Sequence, residues 1–219
     1  MSQEYTGKII VLQPSDASAK ITDVVEGIIS GIMENGVVNV VGLNDSMFLA
    51  CSALNMATEI AKVYLDDIDI ASLNVPVLGK VSAVSAHLSQ KQAGEYATLS
   101  EKEDKSMTDV TEQTISVSRS ATMERLLTIS LLRLAKFDEV KIVAAGGSIN
   151  DAISLALKLT DGQISKDAVG IKLFYLYSIV MRNDPTKSIA AVSIYLHKDL
   201  TTRYTKRQSA VLKKVESGL

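Results

Sequence analysis

Few residues in this 219-residue chain have the types and spacing that chemistry needs. Asp66, Asp67 and Asp69 crowd one short β run. Paired carboxylates can do acid–base work. Charges spaced this way also keep an edge strand from pairing with another sheet, which predicts a solvated strand edge. His87 and His197 each lie near the end of a β run, with no Cys, Asp or Glu cluster at ligand spacing beside them. No metal site is expected from that pattern. Cys51 is the single cysteine. One cysteine forms no internal disulfide and fits a reducing cytoplasm, and its apolar setting predicts a small core residue rather than a reactive thiol. Gly146-Gly147 precedes a helical pattern. A helix N-terminus can hold phosphate, but a tight turn needs small residues on its own account. The chain has no Walker A loop, no GxGxxG and no GxSxG. Nothing names a nucleophile, a base or a cofactor, so a non-enzymatic protein without cofactor is expected.

Composition sets the frame for these residues. The chain is 47% hydrophobic and 22% charged, as expected of a soluble globular protein of one or two domains. No apolar run reaches the roughly 20 residues that span a bilayer. The opening MSQEYTGKIIVLQPSD lacks a basic stretch followed by an apolar one, so no signal peptide is expected. The net charge of −2 hides an asymmetry. Residues 1–110 hold 7 Lys+Arg against 15 Asp+Glu, or −8, and residues 111–219 hold 16 against 10, or +6. A polyanion would meet the C-terminal half.

Periodicity places the residues on elements. Lys8 to Leu12 is a β run, followed by a turn at Gln13-Pro14-Ser15-Asp16. Ile21, Val24, Val25, Ile28, Ile29 and Ile32 repeat at helical spacing, and Asn35-Gly36 stops that helix. Val37 to Val41 is a buried strand, Gly42 to Asp45 a turn, and Met47 to about Lys62 a second helix. Val63 to Leu73 has β character, Asn74 to Gly79 turns, and Lys80 to Leu88 is a fourth strand. Residues 90–112 are polar and read as a linker. The order then restarts. Thr114 to Ser118 is a strand, Arg119-Ser120-Ala121 a turn, and Met123 to Ala135 a helix. Phe137 to Leu159 is a strand, a glycine turn and a helix. Ile171 to Met181 and Ile189 to His197 are strands around a turn at Arg182 to Lys187. Asp199 to Leu219 remains as a basic helix or tail, with Val211, Leu212 and Val215 as its apolar stripe.

The restart is a repeat. Val40, Val41, Ser46, Met47, Ala50 and Ser52 align with Ile142, Val143, Ser148, Ile149, Ala152 and Ser154 at one offset without a gap. Ala-Val-Ser occurs at 83–85 and again at 191–193. Two copies of a β-α-β-α-β-β unit follow: 1–89, acidic, and 113–198, basic, with the linker between them and 199–219 after them.

Such a unit, with Phe137-Asp138-Glu139-Val140-Lys141-Ile142 leading into Gly146-Gly147-Ser148-Ile149-Asn150-Asp151-Ala152-Ile153, resembles the Alba family. These are small archaeal chromatin proteins with DNA- and RNA-binding relatives. The resemblance implies an α+β fold of two tandem repeats, each a four-stranded mixed sheet with two helices. It also implies an intrachain pseudo-dimer in place of the family's dimer. DNA-binding members carry a lysine pair after the first strand and arginines around the glycine before the second helix. This chain has Arg119-Ser120 and Ala17-Ser18 at the first place, and Ala145, Gly147, Leu43 and Asp45 at the second. What the resemblance implies of function is sequence-independent nucleic-acid binding, DNA or RNA, through the second repeat and the basic C-terminus. Arg119, Ser120, Arg182, Lys187, Arg203, Lys206 and Arg207 would be the contacts, with no membrane partner. The alternative is a protein-interaction or assembly module that lost the basic surface, self-associating or a monomer.

Overall fold

The computed structural model describes residues 7–61, 63–90, 111–162, 164, 168–181, 183–202, 204 and 206–218. Of the polar stretch 90–112, residues 91–110 lie outside them, so the linker reading falls largely there. The protein is α+β, with two four-stranded mixed sheets. It divides into two compact units, one holding the first sheet with the C-terminal helix and the other the second sheet. Among the described residues, no helix is long and apolar enough to cross a membrane.

In the first unit the elements run β1 (Lys8–Leu12), α1 (Ile21–Asn35), β2 (Val37–Leu43), α2 (Met47–Ala61), β3 (Tyr64–Val75) and β4 (Gly79–Ser89). Short 3-10 turns lead into the helices at Pro14–Ser18 and Asn44–Ser46. The sheet order is β1-β2-β4-β3. Strand β1 runs parallel to β2, and β4 runs antiparallel to β2 and β3. The predicted stripe of α1 is inside: Val24, Val25, Ile28 and Ile32 are buried. Each such side chain stabilises the fold by roughly 1.5–3 kcal/mol when fully buried. Gly36, at φ 73°, ends the helix in a left-handed cap, and its N–H donates to Ile32 O at 2.7 Å. Helix α2 buries Met47, Ala50, Cys51, Ala53, Leu54 and Ala57. Gly42 lets it come close, since a Cβ there would sit 2.7 Å from Cβ of Ala50.

The second unit repeats the path as β5 (Thr114–Ser116), α3 (Met123–Lys136), β6 (Glu139–Ala145), α4 (Ile149–Thr160), β7 (Val169–Met181) and β8 (Asp184–Lys198). The sheet order is β5-β6-β8-β7, with the same parallel and antiparallel senses. The start of β2, its end, the 3-10 turn and the start of α2 all recur 102 positions later in β6, Gly146–Ser148 and α4. Register tests the alignment independently. Val41 pairs with Ser85, and its aligned residue Val143 pairs with Ser193, the serine of the second Ala-Val-Ser.

One expected turn is shorter than its composition suggests. Arg182 to Lys187 reads as a loop, yet β8 already begins at Asp184, which pairs with Met181. The pairing resumes at Val180 with Ser188, so Pro185, Thr186 and Lys187 form a bulge in β8. Proline lacks the N–H that a regular ladder needs, and a bulge leaves that position unpaired.

The last element, α5 (Lys206–Glu216), is helix rather than tail. It packs in the first unit, on the sheet face away from α1 and α2. Val211, Leu212 and Val215 are buried there with Val41, Leu43, Ala71, Leu73, Val81 and Ala83.

Candidate nucleic-acid interface

The loop pair of the second unit is built by its backbone. Gly146 opens the 3-10 turn at φ 58°. Its counterpart in the first unit, Asn44, has φ 46°. Glycine and asparagine are the residues that enter this left-handed region most easily, which explains why the two copies differ in letter and agree in shape. Gly147 follows, and its bareness has a use. The Arg119 guanidinium lies against it, so that a Cβ on Gly147 would fall 3.0 Å from Cζ and from Nε. Arg119 comes from the β5–α3 loop and is exposed. Among the described residues no carboxylate pairs with it. Beside it, Ser118 and Ser120 share a hydroxyl–hydroxyl bond of 3.1 Å. Thr122 caps α3 by accepting from Arg125 N–H at 3.4 Å, and the Arg125 side chain is exposed. A guanidinium thus stands at the start of α4, where the helix dipole is positive. The first unit places the exposed carboxylate of Asp45 at the position of Gly147.

The other candidate cations fall elsewhere. Lys187 lies on β8 and is paired with Asp184 at 2.8 Å. Lys136, Lys172 and Lys198 also have acidic neighbours, in Glu112, Glu139 and Asp138. Arg182 and Arg203 lie outside the described residues. Lys206 opens α5, and Arg207 stands 4.0 Å from Asp67, so both belong to the first unit. This regroups the charge. Residues 1–99 with 204–219 hold 9 Lys+Arg against 12 Asp+Glu, or −3, and 100–203 hold 14 against 13, or +1. The strong contrast between sequence halves is absent between the units. Its main sources are the acidic residues of 101–109 and the basic C-terminal helix, and the units share these out differently.

The acidic cluster is the site that sequence reading placed wrongly. β3 is an edge strand, but Asp66 is not solvated: its side chain is 6% exposed. A bulge between Leu65 and Asp67 inserts Asp66 as an extra residue. Its carboxylate stands 3.6 Å from Nε2 of His87. The other ring nitrogen of His87 meets Asn39 Oδ1 at 3.0 Å. Helix α5 adds Gln208, which is fully buried, accepts from Ser85 Oγ at 2.6 Å and donates to Asp67. Tyr204 donates its hydroxyl to Ile70 O at 3.1 Å. Burial pushes the Asp69 carboxyl up to about 7, helped by the charge of Asp67. Burial pulls His87 down to about 4, with Arg207 lowering it further and Asp66 opposing. Among the described residues, no three His, Cys, Asp or Glu side chains come together as a metal-binding group. In the second unit the place of the Asn39–His87 pair is taken by Lys141 and Tyr195, the ammonium 5.2 Å from the ring centre.

No family model matches the chain, and no curated protein matches it. Among the solved structures similar to it is the crystal structure of ALBA1 from Trypanosoma brucei, at 20% identity over 50% of this chain and 85% of that one, with a TM-score of 0.35. A likeness of that size assigns no role to any residue.

Proposed function

We propose that the chain binds nucleic acid through backbone phosphates, at the Arg119 loop of the second unit. The observation that carries this reading is an exposed guanidinium held at a helix start by a bare glycine, with no acidic partner among the described residues. Arginine in that setting offers a planar pair of donors to a phosphate. Contacts of this kind ignore base sequence and weaken with salt. Titration of a fluorescent 20-base-pair duplex, and of its RNA counterpart, tests it by anisotropy at low salt. Salt-sensitive binding is expected, and Arg119→Glu should weaken it about tenfold or more. Silence at low salt with both probes would end the reading.

The regrouped charge favours a second reading, an assembly module without a polyanion surface. Units of −3 and +1, with four of the six described lysines of the second unit beside carboxylates, offer a polyanion little. Sedimentation separates the two: a salt-labile oligomer that ignores both probes supports assembly, and a strict monomer counts against it.

A further inference from the structure

The hairpin joining β3 to β4 ends in a turn that costs the fold stability. Leu78 N–H donates to Val75 O at 3.2 Å, with Pro76 and Val77 at the corners. Val77 adopts φ 69°. Turns of this shape favour glycine or asparagine at that corner, because a β-branched side chain crowds the backbone in the left-handed region. Packing returns nothing for the strain, since Val77 is 105% exposed. Leu78 beside it is 40% exposed. A side chain that burdens its own turn and stands clear of the described core points to a use outside the fold. The long hairpin of the second unit also ends in open aliphatic groups, Val180 at 63% and Met181 at 40%.

Cations stand behind the first tip. The last turn of α5 lies against it: Asn74 N–H donates to the Glu216 carboxylate at 3.1 Å, and Gly218 adjoins Pro76. That placement sets the exposed Lys213 and Lys214 near the tip, with the exposed Lys80 on β4 opposite Asn74. The Glu216 carboxylate, at the end of the same helix, is turned to the Asn74 amide.

We propose that the β3–β4 tip docks on the surface of an anionic phospholipid bilayer, Val77 and Leu78 entering the acyl boundary while Lys80, Lys213 and Lys214 meet headgroup phosphates. The side chains at the tip are aliphatic. They have no ring to stack on a base and no amide or guanidinium to read a groove. An apolar point with ammonium groups set back from it repeats the layering of a bilayer surface, acyl chains beneath phosphates. This site is separate from the Arg119 loop.

Co-sedimentation of the full chain with phosphatidylcholine vesicles, with and without phosphatidylserine, tests the proposal. Binding to the anionic vesicles alone is expected, with Val77→Asp lowering the partition coefficient about tenfold or more. Val77→Gly supplies the control for folding: it should raise the melting temperature while weakening vesicle binding severalfold. Arg119→Glu should leave vesicle binding unchanged, so failure here is distinguishable from failure of the nucleic-acid reading. No binding to anionic vesicles, equal binding by the Val77 variants, or loss of duplex binding in Val77→Asp with vesicles ignored would overturn it.

Discussion

At the scale of single residues, position 44 and its repeat at 146 show what a backbone angle demands. Asn44 holds φ 46° and accepts from Ser82 N–H at 2.9 Å through its amide oxygen. Asn44→Gly keeps the angle and loses the bond, a loss of about 1 kcal/mol. Asn44→Ala loses the bond and adds the left-handed penalty of roughly 1–2 kcal/mol. Urea unfolding should rank wild type above Asn44→Gly above Asn44→Ala, and equal midpoints for the two variants would refute the account. Gly146→Ala should be worse than either, since its Cβ would also fall 2.6 Å from Cδ1 of Ile189. Cys51 was legible from its apolar neighbours. It is fully buried, burial pushes the thiol up to about 12, and it should resist alkylation until the protein is unfolded. The buried Asp66 was not legible. A bulge shifts one residue out of alternation, and the letters Asp-Asp-Ile-Asp carry no mark of it.

At the scale of elements, α5 and β3 make the interface with the clearest consequences. The stripe Val211, Leu212 and Val215 was visible as helical spacing, but its seat was not, because a stripe does not name the surface it covers. Leu212→Ala should destabilise the first unit by about 2–4 kcal/mol, read by denaturant unfolding. The acid–base behaviour has two opposed parts. Asp69 is raised in the fold, so its stabilising share is complete below the usual carboxylate range and is lost as pH rises toward about 7. His87 is lowered, so its share is present above its ordinary value near 6.5 and is lost as pH falls toward about 4. The two offset each other between about 4 and 6.5. Asp69→Asn should therefore raise stability at pH 8 and uncover a decline below pH 6, and an unaltered pH profile would contradict the burial of that carboxylate. The early start of β8 escaped the sequence because Asn-Asp-Pro-Thr-Lys has turn composition whether or not its ends are paired.

For the whole molecule, the chain path was readable and the charge map was not. Repeats betray themselves by shared offsets, and the offset of 102 holds through strand, turn and helix start. Charge counted along a sequence assumes that neighbours in sequence remain neighbours in space. Here α5 breaks that assumption by joining the first unit. Deleting residues 204–219 should strip hydrogen-exchange protection from β3 and β4 while β7 and β8 keep theirs. Uniform loss across both sheets would show that the units do not fold separately.

The first sheet is completed by a helix translated long after its strands, and this orders its birth on the ribosome. At ~5–20 residues per second, roughly 6–25 s pass between translation of Ser89 and of Glu216. Throughout that interval Val41, Leu43, Leu73 and Val81 lack their cover. Nascent chains halted before the helix should therefore recruit chaperones that bind apolar segments, and chains that carry the helix should let them go.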